Sequence, residues 1–323
     1  MRSVVRTATA VIVLGLLGWG VPALADPPGR QACDAYASSP EVSALPADFV
    51  DSGCGWIGRV VRDGGVGVTI PPAGQEVRLD AVGVGGSRTL RLVHSRSGRI
   101  TIYRDAGTRA AAGSSQPASA PIATCSDAAF SVEGFRVAGG YSFSYNPYAA
   151  PDEVASGTPS ALANAFSNAA AAATDCRAAT RHPGPAPHYL GTVAGRFANI
   201  SSSYNCGVPD AYNTISWLSG GPHVLAVTCL WSSAGVLRFS DAVMNRSLAF
   251  FTGRIPAGCS STTDLQGVMT HEAGHTYGLG HADEGSKDNG LHGNQTMNSV
   301  LAPCTTKYRT LGTGDLNGMT SLY

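Results

Sequence analysis

Basic charge is scarce and unclustered. The only lysines are Lys287 and Lys307, the 22 basic residues are matched by 22 acidic ones, and charged residues make up only 14% of the chain. With no basic run, the sequence offers no electrostatic footprint for nucleic acid or anionic lipid, and those partner classes are excluded. No C-x-x-C occurs, so neither a cysteine-ligated zinc site nor a thioredoxin-type redox pair is expected. There is no internal repeat. Beyond the first 25 residues no long apolar run follows, so no membrane span is expected there.

What is present begins with residues 1–25. Arg2 and Arg6 precede an apolar stretch from Ala8 to Gly20, followed by Ala23-Leu24-Ala25. This is the layout of a secretory signal peptide cut after Ala25. The apolar stretch is shorter than the ~20 residues that a spanning helix needs. A secreted protein free of the membrane after cleavage is therefore expected, and losing two arginines and no acid leaves it slightly acidic. All eight cysteines lie in the mature part, and an even number in an exported chain reads as disulfides. Spacing does not settle their connectivity. The expected pairing joins neighbours: Cys33–Cys54, Cys125–Cys176, Cys206–Cys229 and Cys259–Cys304.

The mature length suits two domains. Residues 26–105 contain the runs RVV, VGVTI, EVRLDAV, RTLRLV and RITIY, alternating and β-branched between Gly, Pro and Ser turns, which predicts a small β-rich domain. Residues 106–124 are mostly small, with Pro, Ser and Ala, and read as a linker. Residues 125–323 carry a strand-like GYSFSYN (140–146) and an alanine-rich helical stretch over 160–176, where Leu162 and Phe166 give a face to bury. Three strand-like runs follow, NTISWL, HVLAVTCLW and VLRFSDAV, and then a late helix. The fold class expected is α+β.

The chemistry is concentrated in TTDLQGVMTHEAGHTYGLGH (262–281). Thr263 and Gln266 form a capping-box signature, placing a helix start near Asp264. Leu265, Met269, Ala273 and Thr276 form a core-facing stripe. His271 and His275 lie just over one turn apart, so both imidazoles project the same way and can chelate one ion. Glu272 is rotated off that direction, placed to hold water rather than the ion. Gly278 allows the left-handed turn that ends a helix, which brings His281 back as a third ligand. Three histidines leave one zinc position open, the arrangement of a catalytic site. With 40 glycines and 8 histidines in 323 residues, chance would extend only roughly one H-E-x-x-H in 300 with this glycine and histidine.

HEAGHTYGLGH, followed by Thr296-Met297-Asn298-Ser299-Val300, resembles the metzincin pattern H-E-x-x-H-x-x-G-x-x-H with its Met-turn. DLQGVMTHEAGH and the ending LGTGDLNGMTSLY are similar to the active-site and C-terminal helices of matrixins and their bacterial relatives. The resemblance covers residues 125–323. It implies a metzincin-like zinc peptidase domain with a twisted mixed sheet, an active-site helix and a C-terminal helix. It also implies a zinc-dependent endopeptidase acting on protein or peptide substrates: Zn2+ on His271, His275 and His281, Glu272 as general base for a zinc-activated water, and Met297 as the floor of the site. Asp315 matches the second of a pair of acids in the last helix that supports the Met-turn; the first is Gly314 here, which puts in doubt any salt bridge to a freshly cut N-terminus. In this family an edge strand pairs with extended substrate, implying that role for residues 223–231, with residues 299–303 lining the pocket beyond the scissile bond.

Other features carry weaker readings. Asn205-Cys206-Gly207-Val208-Pro209-Asp210 is similar to the matrixin cysteine-switch string, but it lies inside the expected catalytic domain, and a Cys206–Cys229 bridge is the reading preferred. Asp283, Glu284 and Asp288 offer the oxygen ligands that Ca2+ takes, although their spacing matches no calcium loop. His94 is expected at the surface, His182 and His188 in a solvated loop, and His292 near the Met-turn as a bystander. Nothing suggests an assembly, and a monomer is expected. Two alternatives stay open: a secreted binding module with a structural zinc, and, for residues 26–105, either an inhibitory propeptide or an accessory domain.

Overall fold

A computed structural model describes residues 39–51, 53–84, 86–105, 122–177, 182–283 and 291–323. The expected signal peptide, most of the expected linker, Cys33, Glu284 and Asp288 lie outside the described residues. The first unit supplies strands β1 (Asp48–Val50), β2 (Val60–Asp63), β3 (Val66–Thr69), β4 (Gln75–Gly83), β5 (Arg88–His94) and β6 (Arg99–Asp105). There follow β7 (Ser131–Val132), β8 (Tyr141–Tyr145), helices α1 (Asp152–Ala155) and α2 (Thr158–Ala170), and β9 (Pro187–Thr192). The chain continues through β10 (Asn205–Cys206), β11 (Thr214–Leu218), β12 (Val224–Ser233), β13 (Val236–Asn245), β14 (Phe250–Phe251) and β15 (Thr263–Asp264). Helix α3 (Leu265–Thr276), β16 (Leu279–Gly280) and helix α4 (Thr313–Leu322) complete the fold.

The outcome is an α+β architecture with few helices around one large mixed sheet. Nine strands run in the order β1-β6-β5-β4-β12-β13-β11-β8-β9. Strands β9, β8, β11 and β13 are mutually parallel, while β12 and the β4-β5-β6-β1 run are antiparallel to their neighbours. The parallel half requires crossovers, and α2 supplies the one between β8 and β9. The sheet does not stop at the expected domain boundary: β4, from the first unit, is hydrogen-bonded along β12, from the second.

Each face of the sheet is covered by its own core, as strand alternation requires. On one face, Tyr141, Phe143 and Tyr145 of β8 meet α2 and α3, with Leu162, Leu265, Val268 and Met269 in the same cluster. Phe166 stacks on Phe143 at 4.3 Å and on Tyr141 at 5.5 Å between ring centroids. The alanines expected to favour the helix also let α2 lie close against the sheet: Ala161, Ala165 and Ala169 are buried beside Leu162 and Phe166. Phe166→Ala is expected to cost about 3–5 kcal/mol, read as a lower urea midpoint.

On the other face, β3, β2 and β10 form a small second sheet. Val61, Val68, Val77, Leu79 and Leu92 of the first unit share one cluster with Ile200, Val227, Trp231 and Val243 of the second. Three of the expected disulfides form, Cys125–Cys176, Cys206–Cys229 and Cys259–Cys304. Two expectations need correction. His94 is buried rather than at the surface, with Nδ1 2.8 Å from the Pro71 carbonyl, because it ends β5 beneath the turn that enters β4. His188 lies within β9 rather than in a loop, though it is exposed, as is His182. Among the described residues no helix is long and apolar enough to cross a membrane.

Candidate metal centre

Helix α3 starts where a local cap allows it. The Asp264 carboxylate, rather than Thr263, accepts from the Gly267 N–H at 3.0 Å, and Arg309 grips the same carboxylate through two contacts of 2.7 Å. Such a side-chain cap satisfies one of the four N–H groups that a helix start leaves unpaired. The helix is buried on nearly every side, so the sequence stripe marks only one of its covered faces. It ends at Tyr277, and Gly278 follows at φ +94°. The chain then runs through β16, which pairs antiparallel with β7, and delivers His281 beside the helix.

The three imidazoles converge. Ring centroids are 4.6 Å apart for His271 and His275, 4.7 Å for His275 and His281, and 5.2 Å for His271 and His281. His271 Nδ1 lies 2.7 Å from the Thr296 carbonyl and His275 Nδ1 lies 2.8 Å from the Leu279 carbonyl. A carbonyl only accepts, so each Nδ1 carries the proton and a neutral ring presents its Nε2 lone pair. The two Nε2 atoms are 3.0 Å apart, a separation bridged by one shared proton or one shared cation. His281 Nε2 is buried with no hydrogen-bond partner. One ligand atom from each of the three rings lies within 4.8 Å of the others. Tetrahedral zinc, with Zn–N near 2.0–2.1 Å, needs nitrogens about 3.3 Å apart, so this donor set fits the ion.

Electrostatics match that role in part. Burial, with help from the neighbouring His275, holds His281 down at about 3 and His271 well below its ordinary value, keeping both neutral. Burial also works to lower His275, but the carboxylates of Asp80, Glu133 and Glu272 outweigh it and raise the ring to about 9. Cationic zinc would take the place of that proton among the same acids.

Glu272 is fully buried. Its Oε2 accepts from Thr228 Oγ1 at 2.5 Å, while Oε1 has no partner. Burial pushes this carboxyl up to about 7, into the range useful for a general base near neutral pH. Met297 lies under the helix, where a side chain on Gly274 would collide with its sulfur. The Asp315 carboxylate accepts from the Thr296 and Gly312 N–H groups at 3.0 Å each, tying the last helix to the turn that carries Met297. Gly314 has no room for an acid, because a Cβ there would meet the Ala129 carbonyl.

The remaining sequence candidates fall as follows. Cys206 is bonded to Cys229 and so is not a switch thiolate. His292 pairs with Asp127 at 2.9 Å. Asp283 accepts from the Ser299 N–H at 3.0 Å and from the Ser299 hydroxyl. Residues 223–231 are not an edge: β12 has β13 on one side and β4 on the other. The physical reason is that the first unit offers an alternating strand of matching length, and pairing satisfies both rows of backbone groups.

Sequence reasoning missed four residues around the histidines. Asp80 and Arg78 come from β4, Glu133 follows β7, and Thr228 lies on β12. Arg78 Nε is 2.8 Å from Asp80 and also pairs with Glu133, which lies 3.5 Å from His275 Nδ1. Burial acts against the Asp80 charge, but the Arg78 guanidinium and the His275 ring hold its pKa well below the ordinary range. Burial raises Glu133 to about 8. The available signal was a pair of charges, Arg78 and Asp80, on one face of a strand whose other face is apolar; read locally, that face looks solvated. No protein-family model matches the chain, and no curated protein matches it.

Proposed function

We propose that the chain is a secreted zinc-dependent endopeptidase of metzincin-like, matrixin-related type. The observation that carries this reading is the pairing of two features. Three buried imidazoles converge, two of them with their outer nitrogens tied to carbonyls, and a buried carboxylate, Glu272, sits beside them with one oxygen unengaged. Zinc, when bound, supplies Lewis-acid polarisation of a carbonyl and of water. His271, His275 and His281 would hold the ion. Glu272 would take at Oε1 a proton from the water whose oxygen adds to the scissile carbonyl carbon, and give it to the amine nitrogen as the C–N bond breaks, while Thr228 fixes Oε2. Asp315 and Met297 keep the floor of the site in place. Three disulfides are in keeping with an oxidising, extracellular setting.

A second reading, a binding module with a structural ion, draws on one observation: a carboxylate oxygen of Asp80 lies within 4.8 Å of a His275 nitrogen. It gives Glu272 no task, and a buried acid with an unengaged oxygen is costly to keep without one. The test is to incubate zinc-loaded protein with a mixed peptide pool, with and without a chelator. Chelator-sensitive cleavage is expected; stoichiometric zinc with no cleavage would favour the structural ion.

A further inference from the structure

The β5–β6 and β12–β13 turns, one from each unit, leave a cavity of about 390 Å³ between them, a volume suited to a small molecule. Gly74, at the entry to β4, and Gly134 form part of its wall. The cavity is separate from the metal centre. Along β4 and β12, Asp80 lies opposite Thr228, Arg78 opposite Leu230 and Glu76 opposite Ser232. The last of these pairs lines the cavity. Ser232 is four residues from Thr228, about 13 Å along the strand, and the buried Arg78–Glu133 pair stands between the two places.

Two polar side chains that line the cavity are almost fully buried and have hydrogen-bonding capacity to spare. His94 is 2% exposed, with Nδ1 2.8 Å from the Pro71 carbonyl. A carbonyl only accepts, so the neutral ring leaves Nε2 as an open acceptor. Ser232 is 5% exposed, and its hydroxyl has no hydrogen-bond partner among the described residues. Polar groups held from water without partners cost free energy, and a ligand that bonds to both removes that cost. Charge at the rim has one sign. Glu76 is neutralised by Arg91 through contacts of 2.6 and 2.9 Å. Arg96 is exposed and pairs with no acid among the described residues; its stem lies on Gly74, where a Cβ would come within 3.2 Å of the arginine Cγ.

We propose that this cavity binds a small hydroxylated carboxylate, a hydroxy acid or sugar acid, with its carboxylate on Arg96 and its hydroxyls on His94 Nε2 and Ser232 Oγ. A hydroxyl can donate to the imidazole nitrogen and accept from the serine, which a bare carboxylate or phosphate cannot do. One guanidinium with no second free cation beside it matches a monoanion, and its fork pairs with the two carboxylate oxygens at once. The site uses neither the histidine trio nor Glu272, so it stands or falls apart from the peptidase reading.

The test is calorimetric titration of the full chain with glucuronate and lactate as probes, beside glucose, which has the hydroxyls without the carboxylate, and acetate, which has the carboxylate without hydroxyls. Glucuronate or lactate is expected to bind at one site per chain with a dissociation constant in the millimolar range or tighter, and glucose and acetate at least tenfold more weakly. Arg96→Ala is expected to weaken binding of the better probe at least tenfold without changing thermal unfolding, because the side chain is exposed and unpaired. Ser232→Ala, a change too small to disturb the strand, is expected to weaken it at least threefold. No binding of either hydroxylated probe would overturn the proposal. So would equal binding of glucose or acetate, or an affinity that either substitution leaves unchanged.

Discussion

Glu272→Gln is expected to lower peptide hydrolysis by roughly 10²–10⁴-fold, the usual worth of a positioned acid–base group, while zinc content stays stoichiometric. Glutamine keeps the shape of the side chain and an oxygen that can still accept from Thr228, so packing and metal ligation should survive. It cannot take a proton from water. Burial makes the distinction sharp: the carboxyl sits near 7 rather than in its ordinary range, so it can both accept and release a proton close to neutral pH. Equal turnover with and without the Glu272→Gln change would remove this residue from its role.

Gly278→Val is expected to weaken zinc binding by at least tenfold, measured by titration against a competing chelator. At φ +94° a branched side chain is strained by about 1–3 kcal/mol, and a Cβ would also meet the Phe135 carbonyl. The strain falls on the few residues that turn the chain from His275 to His281. Relieving it moves β16 away from β7 and with it the Leu279 carbonyl that orients His275. Groups that orient a metal ligand typically carry 10–100-fold in affinity. Phe166→Ala supplies the control, since it removes core packing without touching this turn: a loss of affinity there of the same size would mean that global stability, not the turn, sets zinc binding.

The histidine motif was legible because its information is local. Residues four apart share a helix face whatever surrounds them, and a glycine beyond the last helical residue announces a reversal of the chain, so three converging histidines and a buried acid could be singled out within eleven positions. The strands of 125–323 were legible through alternation, and α2 through Leu162 and Phe166 set among alanines. The helix cap shifted by one residue, from Thr263 to Asp264, because Arg309, 45 residues away, selects which oxygen sits at the helix start.

Strand pairing carries no comparable local mark. An alternating run shows that a strand will bury one face, but not which strand it will join or whether its edges stay open. EVRLDAV therefore reads as part of a separate β-rich unit, and the family resemblance made HVLAVTCLW an edge, yet the two pair along their lengths. The charges on β4 suffer the same ambiguity. Arg78 and Asp80 look like a solvated face until Glu133 and the imidazoles are placed against them.

By itself, then, the sequence singled out the histidine trio, its neighbouring acid, the turn that gathers them and three of the cysteine pairs that form bridges. The tertiary structure alone decided that a strand from the first hundred residues lies beside that trio, that Thr228 and Asp315 hold Glu272 and the turn before Met297, and that the two expected units share a sheet and a core. The physical reason is range. Helical geometry and backbone turns are set within a few residues, whereas the partner of a strand edge is chosen by whichever distant segment best satisfies its hydrogen bonds and buries its apolar side.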